Sequence, residues 1–99
     1  MRLTEHQQTI IRQTVAHIVG PDAQVMVFGS RLNDSARGGD LDLLVESDML
    51  VSIIQRSRIK LALESSLVMP VDIIAIKRGA LPTAFQRIAL ATGVSLGNT

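Results

Sequence analysis

The sequence predicts an α/β (α+β) domain in which a small mixed sheet of three or four strands is packed by helices. Three observations predict it. Apolar residues at helical spacing alternate along the chain with short runs rich in Val, Ile, Leu and Phe. Gly or Pro punctuates most of the changes of period. A length of 99 residues leaves room for a single core, so residues 1–99 read as one domain.

Thr4-Glu5-His6-Gln7 has the form of a capping box, and Ile11, Val15, Ile18 and Val19 then share a helical face until Gly20-Pro21 ends the run. Residues 24–28 are β-formers that stop at Gly29-Ser30. The stretch 30–39 is polar and rich in small residues, and 40–46 is a second strand with carboxylates set among Leu41, Leu43, Leu44 and Val45. Ser47 is the expected cap of a second helix with Leu50, Ile53, Ile54 and Leu61 as its apolar stripe, and Arg56, Lys60 and Glu64 elsewhere on its surface. Pro70 precedes a third strand, 71–76, which reads as buried. After Arg78-Gly79, a last helix places Leu81, Phe85, Ile88 and Ala89 on one side before Gly93.

Composition narrows the function. Apolar residues make up 46%, enough for a core, while Phe28 and Phe85 are the only aromatics, too few for the stacking platforms of single-stranded nucleic-acid binders. A net charge of +1 gives no field for a phosphate backbone or an anionic membrane. The lack of cysteine excludes disulfides, thiolate zinc sites and thiol nucleophiles. No signal peptide or membrane-length apolar run is present, and a soluble, cytoplasmic protein is expected. His6 and His17 lie too far apart on one helix to share a metal, and Arg56, Arg58 and Lys60 read as a solvated face. Dinucleotide-binding and P-loop glycine patterns are absent.

The chemistry concentrates in Phe28-Gly29-Ser30-Arg31, then Gly38-Gly39-Asp40-Leu41-Asp42, then Asp72. Side chains alternate along a strand, so Asp40 and Asp42 project to one face, where two carboxylates suit a hard cation. Gly29 permits close backbone approach, and Ser30 offers a hydroxyl and N–H groups to a phosphate. Asp72 interrupts an apolar strand, where a carboxylate asks for a cation or another partner. The bland alternative for Asp42 and Asp72 is a structural salt bridge to Arg31 or Arg37, and for Gly29-Ser30 a simple turn.

Gly29-Ser30, Asp40-x-Asp42 starting ten residues after Ser30, and Asp72 on a later strand resemble the DNA polymerase beta-like nucleotidyltransferase superfamily, and within it the minimal nucleotidyltransferases. The dense part of the resemblance covers residues 25–45 plus Asp72. It implies the polymerase beta-like fold, with Asp40, Asp42 and Asp72 as catalytic and metal-binding residues for two Mg²⁺ ions. It also implies that Gly29, Ser30 and Arg31 bind the nucleotide. Ser35-Ala36-Arg37-Gly38 is similar to the family's loop, but its arginine-glycine lies later than in many members, which leaves the roles of Arg31 and Arg37 less defined.

The implied reaction moves AMP, or another nucleoside monophosphate, from ATP or a related triphosphate to an acceptor hydroxyl. Larger relatives carry a further domain for the acceptor, whereas this sequence ends soon after its last helix, so the acceptor surface is expected in trans. Minimal members are often paired with a helical HEPN-domain toxin that they neutralise by adding AMP, and a HEPN protein is the expected partner, within a homo- or hetero-oligomer. The rival is a non-catalytic binding antitoxin, which would survive Asp42→Asn and Asp72→Asn; modification of a small antibiotic would need no protein partner.

Overall fold

The computed structural model of the protein describes residues 3–29 and 40–97. The first helix, α1 (Glu5–Ile18), starts at Thr4, whose hydroxyl accepts from the Gln7 N–H while the Gln7 side chain returns to the Thr4 N–H. The same reciprocal Ser/Thr-x-x-Gln cap opens the other two described helices: Ser52 with Gln55 for α2 (Ile53–Leu67), and Thr83 with Gln86 for α3 (Ala84–Thr92). Each box satisfies two backbone N–H groups at a helix entry and fixes where the helix begins.

Among the described residues, four strands form one mixed sheet: β1 (Gln24–Phe28), β2 (Leu41–Ser47), β3 (Val71–Lys77) and β4 (Val94–Gly97), in the order β3-β2-β1-β4. Strands β1 and β2 are antiparallel, β2 and β3 parallel, and β4 runs antiparallel on the outer edge of β1. Both edges are thus later segments of the chain flanking the β1–β2 pair.

Period-two alternation gives the sheet two different faces. Val25, Val27, Leu41, Leu43, Val45 and Val71 point to one, where Ile11 and Val15 of α1 and Ile59, Leu63 and Leu67 of α2 complete the main core. Most of these side chains are fully shielded, each contributing about 2 kcal/mol by leaving water. The other face holds a smaller cluster of Phe28, Leu44 and Ile76, with Ala89 of α3 packed on it. Gly93 allows α3 to end tightly on the sheet, because a Cβ there would sit 3.1 Å from the Val27 carbonyl oxygen. At the far end of the strands Arg78 pairs with Glu46, Asp48 and Asp22, tying β2, β3 and the approach to β1 together.

Several sequence expectations are corrected. Ser47 does not cap α2: it is a buried β2 residue whose hydroxyl donates to the Met49 carbonyl, and Ser52 is the cap. Leu50, Ile53, Ile54 and Leu61 are exposed; the buried stripe of α2 is Ile59, Leu63 and Leu67, at four-residue spacing. In the last helical region Leu81, Phe85 and Ile88 are exposed, and Ala89 alone of that expected set is buried. Strand β4, which sequence left unassigned, follows Gly93 directly.

Candidate functional site

The site grows from strand register. In the β1–β2 pair Phe28 faces Asp42, and in the parallel β2–β3 pair Asp42 faces Asp72. Phe28, Asp42 and Asp72 therefore form a row across three strands, at the end where β1 exits and β2 and β3 begin. By alternation both carboxylates belong to the face of Leu44, Phe28 and α3, away from the main core. Asp40 stands exposed just before β2.

Gly29 caps the row. Its φ is 78°, in the left-handed region that favours glycine, and a Cβ there would run into the Asp42 carboxylate, lying 3.2 Å from its Cγ. The missing side chain lets the chain leave β1 directly beside Asp42. Burial pushes the Asp42 carboxyl above the ordinary carboxylate range, and the negative charges of Asp72 and Asp40 push it in the same direction. Like charge has been gathered here at a cost.

Asp72 is more open than its strand suggested. Its side chain is 62% exposed, because β3 is an edge strand and the open sheet face is only partly covered. A compensating cation lies nearby on α2: Lys60 Nζ is 3.8 Å from Asp72 Oδ1, 3.1 Å from Glu64 Oε2, and donates to the Val71 carbonyl oxygen. Glu64 in turn accepts from the Val71 N–H at 2.9 Å, a bond that with Lys60 draws its carboxyl below the usual range. Lys60 was expected on a solvated face; it instead clamps the start of β3 beside the site. The Lys60–Glu64 spacing of four residues on a helix is the signal that could have drawn attention to it.

Ser30, Arg31 and Arg37 lie outside the described residues, as does any ion pair they form. Among the described residues, no three His, Cys, Asp or Glu side chains are gathered as a complete metal-ligand set. The donor chemistry nevertheless fits a hard cation: oxygen ligands in register on Asp42 and Asp72, Asp40 beside them, and mutual repulsion that a bound cation would relieve.

A cavity of about 440 Å³ opens directly onto Asp42, Asp72 and Gly29, between α3 and the sheet. A larger groove of about 530 Å³ lies between α1 and α2, lined by Gln13, His17, Arg58 and Leu61, and includes none of the three aspartates. No described helix is long and apolar enough to cross a membrane.

Comparison with known proteins identifies the fold and the family. No individually curated protein matches the chain. Among solved structures, a toxin–antitoxin complex with AMP-PNP aligns with a TM-score of 0.76 at 23% identity, over 93% of this chain and 73% of that one. The MntA–HepT toxin–antitoxin structure aligns with a TM-score of 0.71 at 21% identity, over 97% and 74% of the two chains. A third, of tri-AMPylated Shewanella oneidensis HEPN toxin in complex with MNT antitoxin, gives 0.64 at 22% identity, over 93% and 73%. The three helices and four-stranded mixed sheet seen among the described residues are accordingly the polymerase beta-like nucleotidyltransferase fold. A family model described as the nucleotidyltransferase domain matches residues 9–93, nearly the whole chain, and the protein belongs to that family.

Proposed function

We propose that the chain is a magnesium-dependent nucleotidyltransferase of the protein adenylyltransferase type, moving AMP or another nucleoside monophosphate from a nucleoside triphosphate to a hydroxyl of a partner protein. Its role is that of an antitoxin neutralising a HEPN toxin in the cytoplasm, with residues 1–99 acting as a single minimal nucleotidyltransferase domain. The observation that carries this reading is the row Asp42–Asp72 flanked by Asp40 and closed by side-chain-free Gly29. Similarity in fold to complexes containing AMP-PNP and a tri-AMPylated HEPN toxin supports the nucleotide and the partner.

Asp40, Asp42 and Asp72 would hold two Mg²⁺ ions, which when bound supply positive charge to a triphosphate as pyrophosphate departs. Gly29, with its side-chain-free backbone, admits phosphate oxygens next to Asp42, and Ser30 and Arg31 are assigned to the same nucleotide. Asp72, the more open carboxylate, accepts the proton of the acceptor hydroxyl. The freed oxygen forms the new bond to the α-phosphorus, and the bond to the pyrophosphate oxygen breaks with its electron pair. Lys60 holds Val71 at the start of β3, and so Asp72 beside it, in place.

The test mixes the chain with Mg²⁺, ATP labelled at the α-phosphate and a purified HEPN protein, with Asp42→Asn in parallel. Label should pass to the partner and be lost in the variant, falling by at least about a hundredfold. An unlabelled partner, despite ATP binding and complex formation, would reassign the chain to contact-only neutralisation.

A further inference from the structure

We infer that the cavity between α3 and the sheet seats the nucleobase of the triphosphate, and that it holds the base by apolar contact without reading its hydrogen-bonding edge. The inference rests on the nucleotidyltransferase reading and extends it to substrate choice: adenine and guanine triphosphates should serve about equally.

Position comes first. The cavity, at about 440 Å³, lies within the range of small-molecule sites. Its rim includes Asp42, Asp72 and Gly29, and its walls are Phe28, Ile74, Phe85 and Ile88. A nucleotide joins a flat, weakly polar ring to its α-phosphate through one sugar, so an apolar recess sharing a rim with Gly29 and with the carboxylates assigned to the metal ions matches its layout. The presence of Gly29 makes the recess continuous with the triphosphate side of the site, which favours the base over an acceptor side chain approaching Asp72 alone.

The walls are built but uncovered. Phe85 and Ile88 are 57% and 63% exposed, although both stand on a helix whose neighbour Ala89 is buried. Phe85 is braced edge-to-face on Phe28, with ring centroids 5.9 Å apart and planes at 76°. The two aromatic residues of the chain thus meet at the one cavity that borders all of Gly29, Asp42 and Asp72 among those described. A planar ligand entering there would gain contact with both Phe85 and Ile88.

Selectivity follows from what the walls lack. Among the described residues, the side chains lining the cavity away from the Asp42 and Asp72 carboxylates at its rim are apolar except Thr92, whose hydroxyl donates to the Ile88 carbonyl at 2.7 Å. Apolar pockets separate ligands that differ only in polar substituents poorly, whereas a positioned donor would separate them strongly.

The experiment is a calorimetric titration of the full chain, with Mg²⁺, by non-hydrolysable analogues of ATP and GTP and by inorganic tripolyphosphate. The two purine analogues should bind within about tenfold of each other. Phe85→Ala should weaken both by roughly tenfold while leaving tripolyphosphate binding unchanged, and Ile88→Ala should act in the same direction with smaller effect. A melting curve accompanies each variant, and because Ile88 is exposed its variant carries the test should Phe85→Ala fail to fold. A preference above about a hundredfold for one purine would overturn the unread edge. Unchanged purine binding in both variants, with tripolyphosphate still bound, would overturn the base seat while leaving the transferase reading intact. Absence of binding by nucleotide and tripolyphosphate alike would overturn both.

Discussion

The two faces of the sheet are built to opposite ends. One is sealed by α1 and α2 over Leu43, Val45 and Val71, with Ile59 and Leu63 reduced to zero exposure. The other, among the described residues, carries only the nine-residue α3, leaves Phe85 and Ile88 exposed, and gathers Asp40, Asp42 and Asp72 at one end. Most of the buried apolar area lies on the first face, and the second is the one that carries the candidate site. A chain of this size can accommodate the unfavourable grouping of acids because it is placed away from the layer that holds the fold together.

That contrast can be broken experimentally. The largest effect is expected from Leu63→Ala, which removes about 3 kcal/mol of stability in a denaturant titration, whereas Ile88→Ala on the open face should stay within about 0.5 kcal/mol. Comparable losses at both positions would mean that the open face is as structural as the sealed one. Gly29→Ala comes next, at about 1–2 kcal/mol from the left-handed backbone and the collision with Asp42, and it should weaken triphosphate binding as well. Thr83→Ala, which removes one half of the α3 capping box, should cost about 1 kcal/mol and loosen the cavity wall; hydrogen exchange over residues 84–92 would report it.

The smallest expected effect has the opposite sign. Because the Asp42 carboxyl titrates above its unfolded value, the folded chain binds its proton more tightly than the unfolded chain does. Its ionisation therefore removes stability as pH rises through the folded pKa, and that stability is fully present below the ordinary carboxylate value. Asp42→Asn should accordingly raise stability at neutral pH by something under about 1 kcal/mol, a gain that vanishes on acidification. A variant less stable than the parent at pH 7 would show that Asp42 supports the fold rather than burdening it.

How much of this was legible in the sequence follows the same division. The span of β1, the capping box at Thr4 and the placement of Asp42 and Asp72 on strands all came from local pattern. The face of α2 did not. That helix carries apolar residues on several sides, so Ile53, Ile54 and Leu61, together with Leu50 ahead of its observed start, competed with the true stripe of Ile59, Leu63 and Leu67, and only packing decides between them. The Ser52-x-x-Gln55 and Thr83-x-x-Gln86 boxes were available as signals and would have moved both helix starts to their observed places. The openness of Asp72 was not available: an apolar strand reads as buried until the strand order makes it an edge. Strand β4, four residues long, is recognisable mainly through its pairing with β1.

The parallel alignment of β2 and β3 has a consequence for how such a site can vary. Were β3 to slip by one residue, Asp72 would turn inward against Leu63 and Ile59, and Val71 or Ile73 would turn out to water; both changes are penalised by the core itself. A slip of two residues would keep inside and outside intact but move Asp72 about 7 Å along the strand, out of step with Asp42. Greasy residues that touch no substrate therefore act as a vernier for the acids. Insertions or deletions in the turn between α2 and β3 can be absorbed only if they leave that alignment untouched.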